Sequence, residues 1–340
     1  VSTTAALRRS VLLKRRPSGE PSASDFEICE DAIPHPQAGE VVTRTIWLSI
    51  DPYMRGRLRE EQTYATAIQV GQVMTGETVG QVIASADPQF VPGDLVVGAR
   101  GWQTHSVSLS KQLVKIKKGS APLSAYLGVL GMPGATAHAG VTEICKPKAG
   151  ETFVVSAASG AVGSVAGQLA KRVGARVVGI AGGADKCLWV QDSLGFDDCV
   201  DHRSIDLQYE LKAACPNGID AYFENVGGAV QSAVFDLLNP FGRVAMCGMV
   251  SQYNSKTAPP GPNLGFVIGK RIHIEGFIVS DHPARLTEWR ALAEPMVADG
   301  SLVYREDVVD GLENAPNALA KILTGRNFGK LLVKVAPEQV

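Results

Sequence analysis

Apolar and polar positions follow two different rhythms along the chain. From residue 10 to about 128, short runs of β-branched and apolar residues are separated by turn signals. Ser10–Arg15, Val41–Leu48, Thr78–Ile83, Leu95–Gly98 and Val114–Ile116 read as strands, punctuated by Gly39-Glu40, Pro92-Gly93-Asp94 and Lys118-Gly119-Ser120. Helical periodicity is sparse there, so this part predicts an all-β barrel or sandwich. Beyond Leu123 the rhythm changes to small-residue helix, with Leu123–Leu130 and Ala135–Glu143 flanking Gly131-Met132-Pro133-Gly134. Strands and helices then alternate. Asp220–Glu224, Gly242–Cys247 and Ile272–Val279 predict strands, and Val230–Leu238 and Ala284–Asp299 predict helices. A helix over Leu312–Leu323 and a half-exposed strand over Lys330–Val335 are expected to rejoin the first domain.

The most informative stretch is 151–186. Thr152–Ser156 is long enough for one buried parallel strand, and Ala158-Ser159-Gly160-Ala161-Val162-Gly163 is a small-residue turn. Val165, Leu169 and Val173 then form a stripe at spacing four, Gly174 stops the helix, and Arg176–Ala181 is a second buried strand. Strand, glycine turn, helix and strand in about thirty residues form the unit that grips a dinucleotide. The turn fits G-x-G-x-x-G with alanine in first place. Gly160 lets backbone approach a pyrophosphate, Gly163 lets helix pack on strand, and the helix N-terminus offers free N–H groups. The competing reading is a similar domain that holds S-adenosylmethionine or no ligand.

The second strand ends in Ala181-Gly182-Gly183, without the carboxylate that usually receives the ribose 2′-OH of NAD. Lys186 follows, where an ammonium could meet a 2′-phosphate, while Asp185 argues mildly the other way. NADPH is therefore expected over NADH.

Length and composition refine this picture. At 340 residues the chain suits two domains, and 45% hydrophobic with 20% charged residues fits a globular protein. A net charge of −1 suggests neither a nucleic-acid partner nor an anionic membrane. No apolar run approaches the roughly 20 residues of a transmembrane helix. The opening residues are rich in Arg, Ser and Thr and could form a mitochondrial presequence, although Ser10–Arg15 also reads as a first strand. Six cysteines (Cys29, Cys145, Cys187, Cys199, Cys215, Cys247) are scattered singly, which favours reduced thiols and a cytoplasmic setting.

Candidate chemistry sits in three turns. Tyr53, in Leu48–Arg57, could place a phenol at a pocket or pack with its hydroxyl satisfied. Asn225-Val226-Gly227-Gly228 and Cys247–Asn254 follow strands whose C-terminal ends are where open α/β sheets bind ligands. Asn225 offers an amide and Tyr253 a phenol there; read alone, each is also ordinary turn chemistry. At Met74–Gly80, Gly76 stands where a zinc dehydrogenase would show the His of Gly-His-Glu. No cysteine lies between Cys29 and Cys145, and no H-x-x-x-H pair is present, so no metal is expected.

Taken together, LSIDPYMRGRL at 48–58, LGMPGATAHAG at 130–140, AASGAVGSVAGQLAK at 157–171, NGIDAYFENVGG at 217–228, GRVAMCGMVSQYN at 242–254, GFIVSDH at 276–282 and GRNFGKLLVKV at 325–335 resemble the zinc-independent medium-chain dehydrogenase/reductase superfamily. The nearest branch is that of prostaglandin reductases, plant alkenal double-bond reductases and bacterial curcumin reductases. The resemblance implies an α/β fold, a Rossmann-type doubly wound parallel sheet over 129–304 with a GroES-like β-barrel domain over 1–128 completed by 305–340. It implies NADPH-dependent, metal-free reduction of the carbon–carbon double bond of a small-molecule α,β-unsaturated carbonyl, by hydride transfer to the β-carbon. An NADPH:quinone reductase and a non-catalytic NADPH-binding protein are the alternatives.

On the same basis Gly160, Ala161, Val162 and Gly163 would hold the pyrophosphate, and Lys186 the 2′-phosphate. Asn225, Cys247, Gly248, Ser251 and Tyr253 would line the nicotinamide and ribose. Phe277, Ile278 and Val279 would surround the carboxamide, Met132 and Thr136 would approach the nicotinamide, and Asn327 would reach the phosphates. His202 stands where the family pattern carries a tyrosine near the ribose phosphate, with Arg203 keeping positive charge beside it. Tyr253 and Tyr53 are the candidate catalytic phenols, and Tyr53 and Tyr64 would line the substrate pocket. A homodimer paired along Arg271–Val279 is implied as well.

Overall fold

The computed structural model describes residues 7–60, 66–117, 119, 121–257 and 259–338. Tyr64 lies outside the described residues. The chain divides into two compact units, one made of 1–127, 306–327 and 331–340, the other of 128–305 and 328–330.

In the first unit the strands are β1 (Leu7–Leu13), β2 (Phe26–Ala32), β3 (Glu40–Ser49), β4 (Glu77–Ser85), β5 (Leu95–Ala99), β6 (His105–Leu109) and β7 (Val114–Lys115). β1 and β2 form an antiparallel pair. β3 is almost wholly buried because it is covered along both edges. β4 pairs one edge; on the other, Glu40–Arg44 pair with β6 and Trp47–Ser49 pair with a strand from the end of the chain. Two register shifts in the β3–β4 ladder accompany this change of partner.

The second unit contains β8 (Thr152–Ser156), β9 (Arg176–Ala181), β10 (Asp198–Asp201), β11 (Ile219–Glu224), β12 (Leu238–Met246) and β13 (His273–Gly276). They form one six-stranded parallel sheet in the order β10-β9-β8-β11-β12-β13. This is the doubly wound arrangement in which chain direction across the sheet reverses between β8 and β11. The apolar runs sit at its centre, with Val154, Val178, Tyr222 and Val244 all fully buried, as expected for strands covered on both faces. The helix Gly163–Arg172 follows β8 and ends at Gly174, whose φ of +83° suits glycine. Gly167 in that helix has no room for a side chain, since a Cβ would meet the Phe196 ring at 1.9 Å. The chain then returns to the first unit in β14 (Glu306–Asp310), the helix Ala315–Leu323 and β15 (Lys330–Lys334).

Several expected boundaries are corrected. The helix expected from Ala135 starts at Met132, because Pro133 is compatible with a first helical turn. Leu123–Leu127 is a 3-10 turn and not a longer helix. The strand expected over Ile272–Val279 stops at Gly276, and Val279–Asp281 forms a one-turn helix. β12 begins at Leu238, four residues before the expected Gly242. β2, β6, β10 and β14 have no counterpart in the expected set. β2 is exposed at six of its seven residues, so it carries no apolar alternation to read.

Candidate active site

The glycine turn owes its shape to three backbone features. Ala157 takes φ +52°, a left-handed conformation that costs a side-chain-bearing residue about 1 kcal/mol or more. Its carbonyl receives the Gly160 N–H at 2.9 Å. That carbonyl also lies 2.4 Å from where a Cβ on Gly163 would stand, so only glycine closes the turn into the helix. Gly160 is less confined: a Cβ there would meet the Ala157 oxygen at 3.1 Å and no other atom closer than 4.0 Å. The helix begins at Gly163; the Ser164 and Ala166 N–H groups already bond the Gly160 and Val162 carbonyls at 3.1 and 2.9 Å, so what the helix start offers a ligand anion is its positive dipole end and the turn just before it.

Beside this turn, at the end of β9, Gly182 and Gly183 lie against residues from the end of β10. A Cβ on Gly182 would come within 2.7 Å of His202 Nε2 and 3.3 Å of Arg203 Nε. Asp201 does not point into open space. Its Oδ1 accepts the Gly183 and Arg203 backbone N–H groups at 2.9 and 3.0 Å, fixing the β9 and β10 ends together. Desolvation opposes ionisation of Asp201, but those N–H donors and the charges of His202 and Arg203 hold it below the usual carboxylate range. Desolvation also lowers His202, with the positive charges of Arg203 and Lys186 acting the same way against the Asp201 carboxylate. Lys186 and Arg203 thus form a cationic edge at the second strand, with the His202 imidazole beside them and Asp201 engaged in backbone turns.

On either side of the reversal point, Ser156 ends β8 and Glu224 ends β11, both fully buried. Ser156 Oγ donates to Glu224 Oε1 at 3.0 Å and accepts the Asn225 N–H at 2.8 Å. Glu224 Oε1 further accepts the N–H groups of Val226 and Gly227 at 2.7 and 3.0 Å. The Glu224 carbonyl receives the N–H groups of Cys247 and Gly248, and the carbonyls of Asn225 and Val226 receive those of Val250 and Ser251. The Ser251 hydroxyl adds a bond to the Val226 carbonyl at 2.6 Å. The loops after β11 and β12 are therefore one hydrogen-bonded assembly. Tyr253 belongs to it: its phenol oxygen accepts the Met249 N–H at 3.4 Å and lies 3.1 Å from a Cβ built on Gly248. Burial, then the Glu224 charge, pushes the Cys247 thiol up to about 12, so it stays protonated and is no nucleophile.

The other expected positions fall as follows. The Thr136 hydroxyl donates to the Met132 carbonyl at 2.8 Å within their shared helix. Phe277 meets Phe223 edge to face at 6.2 Å, and Ile278 and Val279 are half-buried beside it. In the first unit, Tyr53 precedes the short helix Met54–Arg57 and carries the Arg57 guanidinium 5.9 Å from its ring centre. Asn327 lies between the helix Ala315–Leu323 and β15. Ser156, Asp201 and Glu224 were not among the expected site residues. A polar residue closing each of three strands of the parallel sheet was the available signal.

Two family models match the chain: "N-terminal domain of oxidoreductase" over residues 9–116 and "Zinc-binding dehydrogenase" over residues 161–298. An NADPH-dependent curcumin reductase of Escherichia coli is 45% identical, covering 96% of this chain and 97% of its own. A 2-alkenal reductase (NADP(+)-dependent) of Nicotiana tabacum is 44% identical over 97% and 98%. The crystal structure of CurA from Vibrio vulnificus in complex with NADPH superposes with a TM-score of 0.92 at 44% identity, covering 97% of this chain and all of that one.

The zinc named in the second model's description does not fit the donor set here. Gly76 is packed against Leu48 and Trp102, and among the described residues no three His, Cys, Asp or Glu side chains come together as a metal site. NADPH does fit, given the uncrowded Gly160, the helix start at Gly163 and the cationic edge at Lys186 and Arg203 with His202 beside it. The fold is a GroES-like N-terminal domain with a Rossmann-type parallel sheet, and the chain belongs to the zinc-independent medium-chain dehydrogenase/reductase superfamily, in the branch of the curcumin, alkenal and prostaglandin reductases.

Proposed function

We propose that the protein reduces the carbon–carbon double bond of α,β-unsaturated ketones and aldehydes with NADPH, without a metal. The observation that carries this is the cationic edge beside Gly182 and Gly183, where an NAD site would place a carboxylate, on a chain about 45% identical to NADPH-dependent reductases. Gly160 to Gly163 would receive the pyrophosphate, Lys186, His202 and Arg203 the 2′-phosphate, and Asn327 a further phosphate contact. Asn225, Cys247, Gly248, Ser251 and Tyr253, with Met132, Thr136 and Phe277 to Val279, would bound the nicotinamide end. NADPH, when bound, supplies the hydride.

The residues must then manage charge. Adding hydride at the β-carbon of an enone builds negative charge on its carbonyl oxygen, and a metal-free site answers with hydrogen-bond donors. Tyr253 is proposed as the principal donor, its phenol oxygen held beside Gly248 and the Met249 N–H in the loop after β12. Tyr53 is proposed as the second. The α-carbon takes its proton from one of these hydroxyls or from water.

The boundaries 1–128 with 305–340 for the substrate domain and 129–304 for the dinucleotide domain belong to this reading, as does Tyr64 in the substrate pocket. So does a homodimer paired along β13, the edge strand of the sheet, beside exposed Phe241, Leu264 and Ile268. Six unpaired cysteines fit a reducing, cytoplasmic setting; among the described residues no helix is long and apolar enough to cross a membrane. A panel of enals, enones, curcuminoids and quinones, followed by loss of NADPH absorbance, tests the function. Turnover confined to quinones, or absent with every acceptor, defeats it. A monomer in light scattering defeats the dimer.

A further inference from the structure

We propose that the buried carboxylate of Glu224 favours the positively charged, oxidised nicotinamide over the neutral, reduced one, and so biases the bound cofactor toward giving up hydride. The inference rests on the NADPH-reductase reading above and assigns a role to a residue that reading does not use.

Glu224 is the last residue of β11 and lies against Ser156, the last residue of β8. These are the two neighbouring strands from which the sheet is wound in opposite directions, and ligands of open α/β sheets bind just beyond the carboxyl ends of such strands. A carboxylate with no exposed surface is costly there unless compensated. Compensation comes from neutral donors: the Ser156 hydroxyl and the N–H groups of Val226 and Gly227 on Oε1, with the buried Tyr222 phenol also close enough to interact with the carboxylate. Oε2 has no hydrogen-bond partner among the described residues, and no Lys, Arg or His there forms an ion pair with Glu224. Dipoles hold the charge in place without cancelling it. Its field reaches its surroundings, since after burial the Glu224 charge is the next influence pushing up both Tyr222 and Cys247.

Loss of hydride turns a neutral dihydronicotinamide into a cation. An uncancelled anion in a poorly screened region stabilises that cation and leaves the neutral form unaffected. Glu224 acts at a distance through its charge, without touching the reacting atoms, and is a positioning residue in that sense. A purely architectural role, in which Glu224 only ties down the Asn225–Gly227 loop, would weaken both forms of the cofactor alike.

The test is therefore a ratio. NADPH and NADP+ are each titrated into the full-length protein and into Glu224→Gln, which keeps an acceptor oxygen for the three donors and removes the charge. Calorimetry gives the Kd of each. The Kd of NADP+ divided by that of NADPH is expected to rise about tenfold in the variant. A ratio within twofold of the parent, with both nucleotides still bound, overturns the proposal. Should Glu224→Gln fail to fold, Glu224→Ala is read in the same way. It too removes the charge, so a rise of about tenfold in the ratio supports the proposal and a ratio within twofold of the parent overturns it. If the parent binds neither nucleotide, the reductase reading itself falls; if it binds both and the ratio does not move, only this inference does.

Discussion

Asn225 is fastened to Ser156 twice: its backbone N–H donates to Ser156 Oγ at 2.8 Å, and its side-chain amide donates to the Ser156 carbonyl at 2.8 Å. Two strands distant in sequence thereby set the position of the loop that bears Asn225 and, through it, the loop that bears Tyr253. Ser156→Ala removes the acceptor of one buried N–H and a donor to Glu224. Stability should fall by about 1–3 kcal/mol, measured by denaturant unfolding, with a weaker NADPH Kd from the loosened loops.

The two glycines of the phosphate turn should separate folding from binding. Gly163→Ala places a methyl against the Ala157 carbonyl, and overpacking of this kind costs about 1–3 kcal/mol. Gly160→Ala meets far less of the protein itself, so its stability should stay near the parent's. Both variants should weaken NADPH by roughly tenfold or more, the second because its methyl occupies the approach to the pyrophosphate. Fluorescence titration alongside urea denaturation distinguishes them.

The cationic edge predicts cofactor choice. Lys186→Ala and Arg203→Ala should each weaken NADPH about tenfold, the worth of one lost charge-assisted contact of about 1.5 kcal/mol, and leave NADH unchanged within twofold. Parental binding of both cofactors with equal affinity contradicts the assignment.

Tyr253→Phe keeps the ring beside Gly248 and removes the donor. Turnover of an active enone should fall on the order of 100-fold, with NADPH Kd little changed, and Tyr53→Phe should lower it as well. Parental turnover in both variants would mean that other groups stabilise the enolate.

Stability should decline with acid in two stages. His105 and His138 are both lowered by burial, so below the ordinary histidine range the unfolded chain binds more protons than the folded one. Their contribution is present above about pH 6.5, and is lost as pH falls from there toward their lowered folded values. Asp25, Asp197 and Asp201 are also lowered in the fold, so a second loss follows as pH falls from about 4 through their folded values. Melting temperature against pH should show both stages, and His138→Asn should reduce the first.

Much was legible in the chain because it is local. Five buried residues, a glycine turn, a helical stripe stopped at Gly174 and a second apolar run lie within one stretch, and each is read from a few neighbours. The missing carboxylate at Ala181–Gly183 is local too, so the preference for NADPH could be argued from residue types alone. β2, exposed along nearly its whole length, has no such pattern; its place comes from pairing with β1.

Tertiary structure alone decided which distant residues meet. Asp201 ties the end of β10 to Gly183, eighteen positions earlier, and brings His202 and Arg203 against Gly182 and Gly183. Ser156 reaches Glu224 and Asn225 across 68 and 69 positions, and β15 lies beside β3 at the far end of the sequence. Periodicity shows which face of a strand is buried, not which strand lies beside it. That order is set by how the layers cover one another, and the polar residues closing β8, β10 and β11 acquire their roles from it.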